Sequence, residues 1–442
     1  MAEFLPSCVN YAEPLAVLPA NAQNYLYASV PSNGSSFTAG SIIQVDLGSR
    51  GFLDPASLMI RYKYTSTSAA GTATKMVGTP AYTTFIRLDT FINSQSVESI
   101  NNWNTVCNLL TNIQLSAADK YGQQFALGYT NFGDTTGTSP PMENLDGRLI
   151  QTAGESGFLS APCHCSLAYA EKLIPLFLLN GIRLQFTMDS LANMCSNLTA
   201  DAGSVFTAFT ITNFEVVYNC IDLGAEAQAE VIRMNPKIKI KTQGFSTTTA
   251  PVASGSSGAV NLIFNQRFAS VKSAYLNMGG TAAGTSANKN MDSFDITTNN
   301  GDYQLNIGGV AYPQKPLSTL NNKAGILQEL RRSMNTIFGS NVSMSINSCE
   351  FSATSAGIPL SAGGYTTSSY IIPAKFWVGV NLQKMSIPSK AFFTGTSTQL
   401  SPISAIINVN TATTQLHNVM LILNYDIIIE VDSLSHQCLY IQ

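Results

Sequence analysis

Residues 85–115 read FIRLDTFINSQSVESINNWNTVCNLLTNIQL, and residues 303–334, YQLNIGGVAYPQKPLSTLNNKAGILQELRRSM, repeat their plan about half a chain later. In each stretch an alternating run, typical of a strand, is followed by a polar turn and a segment with helical spacing. Apolar positions of the helical segments coincide when the stretches are set 220 residues apart: Val106 on Ile326 and Leu110 on Leu330. The low identity between the copies leaves coincidence open, but the pattern favours two copies of one unit.

The two alternating runs mark the strand at the start of each copy. The first run is formed by Ile86, Leu88, Thr90 and Ile92, and the second by Tyr303, Leu305 and Ile307. The polar turns end in the asparagine pairs Asn101-Asn102 and Asn321-Asn322. Helices are therefore expected over Asn101 to Leu115 and over Asn322 to Ile337.

The composition is that of a large chain with few charges. A length of 442 residues fits two domains of roughly 200 residues, each large enough to bury a core. Charged residues make up 11% of the chain, far below the roughly 25% of an average soluble protein. We therefore expect a surface that is neutral and polar or buried against other subunits. With 23 basic and 26 acidic residues, the net charge of -3 gives no basic footprint for nucleic acid.

Scattered cysteines indicate reduced, buried thiols rather than a disulfide framework. They are Cys8, Cys107, Cys163, Cys165, Cys195, Cys220, Cys349 and Cys438. The amino terminus MAEFLPSCVNYAEPL lacks the basic and apolar regions of a signal peptide. The longest apolar run, residues 173–182, is about half the length of a membrane span. We expect a soluble protein made in a reducing compartment, where the sequons at Asn33, Asn197 and Asn341 are chance matches.

Alternating apolar residues recur along both halves. The predicted strands include residues 43–47, 59–64, 206–221, 260–264, 274–278, 376–382 and 419–431. Many strands at regular spacing, with one short helix per half, predict an all-β fold of two consecutive antiparallel β-sandwiches.

The chain divides into four predicted segments. Residues 1–40 have no sustained periodicity and are interpreted as an extended arm, and residues 41–222 as the first sandwich. Residues 223–242 are interpreted as a linker and residues 243–442 as the second sandwich. Loops rich in Gly, Ser and Thr, which often carry binding surfaces, are predicted at residues 65–84, 127–157, 247–258 and 279–290.

Cys163, His164 and Cys165 are the one local candidate for a metal site. On a strand, Cys163 and Cys165 share a face and His164 points away, so the three cannot chelate one ion. We therefore favour two buried thiols and a polar histidine.

Catalytic patterns are missing from the sequence. The histidines are His164, His417 and His436, and neither a nucleophile elbow nor a phosphate-binding loop is present. We predict no catalytic, cofactor-binding or metal-binding residue, no cofactor and no enzymatic activity. Lys237, Lys239 and Lys241 alternate along one face of an extended segment; with Arg331-Arg332, they are either a solvated face or a contact for an acidic neighbour.

Three stretches resemble the double jelly-roll major capsid proteins, the lineage of adenovirus hexon, tailless phages, virophages and giant algal viruses. They are SFTAGSIIQVDLGSRGFLDPASLMIRYKY (residues 36–64), FIRLDTFINSQSVESINNWNTVCNLL (residues 85–110) and EKLIPLFLLNGIRLQFTMD (residues 171–189). The resemblance is strongest over residues 36–220 and is nearest to the Polinton-like and adintovirus-type members. It implies that each sandwich is a jelly roll with a short helical insertion.

The resemblance also implies a function. Such chains form homotrimeric, pseudo-hexameric capsomers that tile the icosahedral shell of a double-stranded DNA virus. The expected partners are then neighbouring capsomers, penton and minor capsid proteins and an internal membrane, without direct nucleic-acid contact. The expected location is the virion, after synthesis in the reducing interior of the host cell.

The alternative is a binding protein of two β-sandwich modules, such as a viral spike or a glycan-binding fibre. Its candidate ligand-stacking residues are Tyr82, Tyr129 and Tyr365, although they are isolated in the sequence. A single-jelly-roll coat that binds RNA is disfavoured because residues 1–49 contain no Lys or Arg.

Overall fold

The structure is a computed structural model. It describes residues 22–68, 74–129, 148–150, 155–179, 181–197, 206–280, 301–319, 321–334, 344–346, 351, 358–359, 371–372, 375–384, 393–409, 417–432 and 438–442. No helix in these ranges is long and apolar enough to span a membrane.

The first half consists mainly of strands. They are β1 Gln23–Ser29, β2 Ser36–Thr38, β3 Ile42–Leu47, β4 Phe52–Leu53, β5 Met59–Ser68, β6 Thr74–Met76, β7 Phe85–Ile92, β8 Gln95–Asn101, β9 Arg148–Ile150, β10 Glu155–Pro162, β11 Ile174–Pro175, β12 Ile182–Met188, β13 Cys195–Asn197 and β14 Phe206–Asp222. The helices are α1 Pro80–Thr83, α2 Trp103–Gln114, α3 Ala117–Gly122, α4 Gln124–Leu127 and α5 Leu191–Met194. Single 3-10 turns cover Pro55–Ser57, Ser166–Tyr169 and Leu176–Leu178.

Two antiparallel sheets form the first sandwich. Sheet I has the order β10-β5-β14-β4-β11, with β1 and β2 also paired to β14. Sheet II has the order β3-β12-β7-β8. A small sheet, β13-β6-β9, lies outside this pair.

The second half repeats the arrangement after helix α6 Ala225–Met234. Its strands are β15 Lys237–Val252, β16 Gly258–Phe264, β17 Val271–Gly280, β18 Asp302–Ile307, β19 Val310–Ser318, β20 Ile358–Pro359, β21 Ile371–Ile372, β22 Val378–Asn381, β23 Ile403–Val409, β24 His417–Asp432 and β25 Cys438–Ile441, with helix α7 Lys323–Met334 after β19. Sheet III has the order β15-β24-β17-β22, with β25 also on β24. Sheet IV has the order β16-β23-β18-β19, and β20 pairs with β21.

The sheet orders confirm the predicted fold class, two consecutive antiparallel sandwiches. Sheets II and IV correspond strand by strand, and in both halves the helix follows the edge strand of this sheet. Val106 and Ile326, and likewise Leu110 and Leu330, are fully buried at equivalent places of α2 and α7. The coincidence of pattern therefore reflects a repeated structure.

Alternation in the sequence predicted the core well. Ile60, Tyr62 and Tyr64 of β5 are all fully buried, as are Tyr303 and Leu305 of β18. These side chains face inward because successive residues of a strand point to opposite faces.

The predicted run Ile86–Ile92 differs from the structure at its first position. Phe85 is fully buried, whereas Ile86 is only partly buried. The register between β7 and β12 shifts between Thr187 and Met188, which places an extra residue in β7. A β-bulge of this kind changes which residues face the core.

Part of the predicted arm belongs to the first sandwich. Residues 23–29 form β1 and residues 36–38 form β2, both paired to β14 on the edge opposite β5. The main-chain groups along that edge of β14 need hydrogen-bond partners, and these strands supply them. Residues 1–21 lie outside the described residues.

Regular elements also occupy the predicted linker. The region 223–242 contains α6 and the first residues of β15, which pair with the end of β24. The alternation of Lys and Ile at residues 237–241 fits an edge strand with one solvated face. The four segment boundaries themselves stay a prediction.

Several predicted loops contain strands or helices. Residues 247–252 continue β15 because they pair with residues 417–422 of β24, and long-range pairing outweighs a weak local signal. The region 65–84 contains the end of β5, β6 and α1, while β10 begins inside the region 127–157. Of the region 279–290 only Gly279 and Gly280, in β17, are described.

Candidate functional site

The segment Cys163–Cys165 leaves the strand, because β10 ends at Pro162. Both thiols are buried, and a hydrogen bond to Cys165, together with burial, raises the pKa of Cys163 well above its usual value. Nδ1 of His164 lies 2.8 Å from the hydroxyl of Tyr169, and burial lowers the pKa of His164 to about 4. Among the described residues, no three His, Cys, Asp or Glu side chains are placed to hold a metal ion.

The other two histidines of the chain are His417 and His436. His417 begins β24, where its backbone pairs with Val252 and Gly280. The side chain of His417 and the whole of His436 lie outside the described residues.

The three alternating lysines are paired with carboxylates of the same chain. Nζ of Lys237 and Nζ of Lys239 each lie 3.2 Å from Glu430, and Nζ of Lys241 lies 3.9 Å from Glu171. Arg332 lies 2.7 Å from Glu329 within α7. Glu430, Glu171 and Glu329 thus offset part of the positive charge of these basic residues.

Two tyrosines of the glycan-binding alternative, Tyr82 and Tyr129, are core residues. Tyr82 is 1% exposed and donates its hydroxyl proton to the carbonyl of Pro162 at 2.9 Å. Tyr129 is 5% exposed, and its hydroxyl lies 2.7 Å from that of Thr79. Tyr365 lies outside the described residues, and the two described members of the set are too buried to stack on a glycan.

Glu98 joins the two sandwiches and was missed at the sequence level. It lies on β8, is 2% exposed, and accepts hydrogen bonds from two backbone N–H groups. Its Oε2 lies 2.6 Å from the nitrogen of Ser166, and its Oε1 lies 2.8 Å from the nitrogen of Phe245 on β15. The carboxylate therefore links the edge of the first sandwich to the edge of the second.

Further hydrogen bonds complete this inter-sandwich junction, in which edge strand β8 and the turn Ser166–Tyr169 meet edge strand β15. The hydroxyl of Thr247 donates to the carbonyl of Asn101, and that of Thr242 donates to the carbonyl of Ser166. At the end of the chain, Nε2 of Gln442 donates to the carbonyl of Val97 at 2.7 Å. Each bond satisfies a main-chain carbonyl, of edge strand β8 or of the turn Ser166–Tyr169, that would otherwise need water or another partner.

Burial removes the carboxylate of Glu98 from water. Burial raises its pKa to about 7, against the lowering effect of the two backbone hydrogen bonds. The titratable groups that face it, Cys107, Cys163, Tyr169 and Tyr425, carry no positive charge to offset the desolvation. The sequence does contain a signal for the burial of Glu98, because Glu98 lies two residues before the apolar Ile100 and so on the same face of β8. Its burial, however, is caused by the second sandwich.

The solved structures similar to this chain include viral major capsid proteins. The chain aligns with the Faustovirus major capsid protein at a TM-score of 0.63 and 10% identity, covering 96% of this chain and 92% of that one. It aligns with VP54 of PBCV-1, fitted into a reconstruction of the virophage Sputnik, at a TM-score of 0.61 and 10% identity, covering 97% and 98%. For the mavirus major capsid protein the TM-score is 0.54 at 9% identity, covering 99% and 93%.

These alignments span both sandwiches and establish the fold. The chain has the double jelly-roll fold, as the sequence resemblance implied. No family model and no curated protein matches the sequence.

Proposed function

We propose that this chain is a major capsid protein whose homotrimers tile the icosahedral shell of a double-stranded DNA virus. The observation that carries the proposal is the alignment of both jelly rolls, over nearly the full length of each chain, with viral major capsid proteins. A partial match to one sandwich would fit many binding modules, whereas a tandem pair joined edge to edge is a more specific arrangement.

The surface chemistry supports a structural role. Only 11% of the residues are charged, and Lys237 and Lys239 of β15 share the carboxylate of Glu430 in the same chain. Charged residues are depleted in the cores of protein interfaces, so a chain surrounded by copies of itself is expected to carry few of them. We accordingly propose a role in the virion without catalysis.

The proposed partners follow from this role. They are other copies of the chain, neighbouring capsomers, penton and minor capsid proteins and an internal membrane. The chain would meet them after its synthesis in the reducing interior of the host cell. The net charge of -3 supports the absence of direct genome contact.

The test is the assembly state of the purified protein. Multi-angle light scattering at micromolar concentration is expected to give a stable trimer, and negative-stain microscopy hexagonal particles. A monomer at this concentration would contradict the proposal. A trimer with three separated lobes and no hexagonal outline would also contradict it.

A further inference from the structure

The junction between the two sandwiches of one chain joins two different sheet edges. The edge strand β8 of sheet II in the first sandwich meets the edge strand β15 of sheet III in the second. The two surfaces differ, so the contact is heterologous, and repeating it would generate a ring or an open filament.

Each strand of the junction has a counterpart in the other sandwich. Strand β19 occupies in sheet IV the edge that β8 occupies in sheet II. Strand β1 pairs with residues 216–222 of β14, and residues 239–245 of β15 pair with residues 424–430 of β24. These two partner segments are equivalent. Val217 of β14 pairs with the first residue of β5, and Tyr425 of β24 pairs with the first residue of β17. The first sandwich thus presents β1 where the second presents β15.

Burial separates the two pairs of counterparts. In β8, Val97, Glu98 and Ile100 are buried, and in β15 residues 242–245 are buried. In β1 every residue is exposed or partly exposed, with Leu26 at 71%. In β19 every residue is likewise exposed or partly exposed, with Val310 at 51%. Within the described chain, β1 and β19 each pair with a strand along one edge only.

We propose that β19 of one copy packs against β1 of the next, repeating between copies the contact that β8 and β15 make within the chain. The occupant of each exposed edge is a second copy of this chain. This mapping, the assignment of β19 and β1 as the contact surfaces between copies, rests on the proposed homotrimer and goes beyond it. Three chains joined in this way alternate first and second sandwiches around a closed ring.

The two kinds of junction differ in one chemical respect. The hairpins β7–β8 and β18–β19 identify Tyr312 as the residue of β19 equivalent to Glu98. Glu98 pairs with Thr90, and Tyr312 pairs with Leu305. Thr90 and Leu305 each lie two residues before the end of their own strand, β7 or β18. On the other side, Leu26 and Tyr25 stand on β1. The junction between copies is therefore more apolar than the one within the chain and lacks the buried carboxylate.

Cysteine cross-linking tests the mapping on the full-length protein. The double variant Ala28→Cys/Gln314→Cys places one exposed thiol on β1 and one on β19. With a short bismaleimide, we expect covalent dimers and trimers joined by a 28–314 peptide identified by mass spectrometry, and only background products from either single variant. The control pair Phe158→Cys/Gln314→Cys uses β10, at the opposite edge of sheet I from β1.

The outcomes separate this mapping from the proposed function. A wild-type trimer whose control pair cross-links while the 28–314 pair does not would overturn the mapping and leave the capsid proposal intact. A monomeric wild-type protein would overturn both. A second readout is the concentration at which trimers dissociate. Leu26→Glu is expected to raise this concentration about tenfold or more. The control Phe125→Glu, at a residue of α4 that is 86% exposed, is expected to leave it unchanged. Equal effects of these two variants would also overturn the mapping.

Discussion

Oε1 of Glu98 in the first sandwich accepts a hydrogen bond from the backbone N–H of Phe245 in the second, at 2.8 Å. Burial raises the pKa of Glu98 from 4.5 to about 7 in the folded protein. The folded chain therefore holds a proton on Glu98 that the unfolded chain releases as the pH rises above 4.5. This contribution to stability is complete below pH 4.5 and is lost as the pH rises to about 7.

We expect the replacement Glu98→Gln to be most costly near pH 4.5 and to become less costly as the pH approaches 7. The difference in unfolding free energy between wild type and variant should shrink by about 3 kcal/mol across this window, since one pKa unit corresponds to about 1.4 kcal/mol. Urea denaturation at pH 4.5, 5.5, 6.5 and 7.5 measures the difference, and a pH-independent difference would contradict the prediction.

His164 provides the matched control, because its shift has the opposite sign. Burial lowers the pKa of His164 from 6.5 to about 4, so its contribution to stability is present above pH 6.5 and is lost as the pH falls toward 4. The replacement His164→Gln is therefore expected to become less costly as the pH falls. The two variants should change in opposite directions over the same pH series.

Gly379 on β22 allows α7 to approach the strand closely. A Cβ at this position would lie 2.8 Å from Cδ1 of Leu330 and 3.1 Å from its Cα. We expect Gly379→Ala to lower the free energy of unfolding by about 1–3 kcal/mol through overpacking. Gly122→Ala is the control, because a Cβ there meets nothing within 4 Å and alanine favours the helical conformation of α3. Equal urea midpoints for the two variants would show that the contact does not limit the packing of α7.

The amino-terminal arm is expected to act in assembly. Its sequence carries Phe4, Leu5, Tyr11, Leu15, Val17, Leu18, Tyr25 and Tyr27, an apolar load that water disfavours. Tyr25 and Tyr27 belong to β1, so the hypothesis concerns the residues before that strand. We hypothesise that it packs on a neighbouring subunit, a minor protein or a membrane at the inner base of the capsomer; the alternative is that it only covers its own jelly roll.

Deletion variants separate these possibilities. Removal of residues 2–21 should leave the melting temperature of the trimer unchanged and prevent shell formation. Removal of residues 2–30 also deletes β1 and should weaken the trimer itself, because β1 pairs with β14 along seven residues. Normal shells from the shorter deletion, seen by electron microscopy, would contradict the assembly role.

The cysteines are expected to be free thiols throughout. The structure confirms this for Cys107, Cys163, Cys165, Cys220 and Cys438. Alkylation under denaturing conditions without reductant should add eight groups by intact mass, matching the eight cysteines of the sequence. A smaller number would reveal a disulfide or a bound metal involving the cysteines whose side chains are not described.

The sequence by itself determined the repeated unit, the strand-rich class and much of the core. Positions such as Tyr62, Tyr64, Val106 and Ile326 were predictable because alternation and helical spacing are local and act within a few residues. The likeness of residues 36–220 to double jelly-roll capsid proteins is also carried by the sequence alone.

Only the tertiary structure decided the features that depend on partners distant in the chain. Residues 247–252 are a strand because β24 lies beside them, and Phe85 faces the core because of a bulge opposite β12. Glu98 is buried because β15, almost 150 residues later, closes over it and supplies an N–H group. Local pattern cannot encode such positions, since the free energy that selects them comes from contacts formed only when the whole sandwich pair assembles.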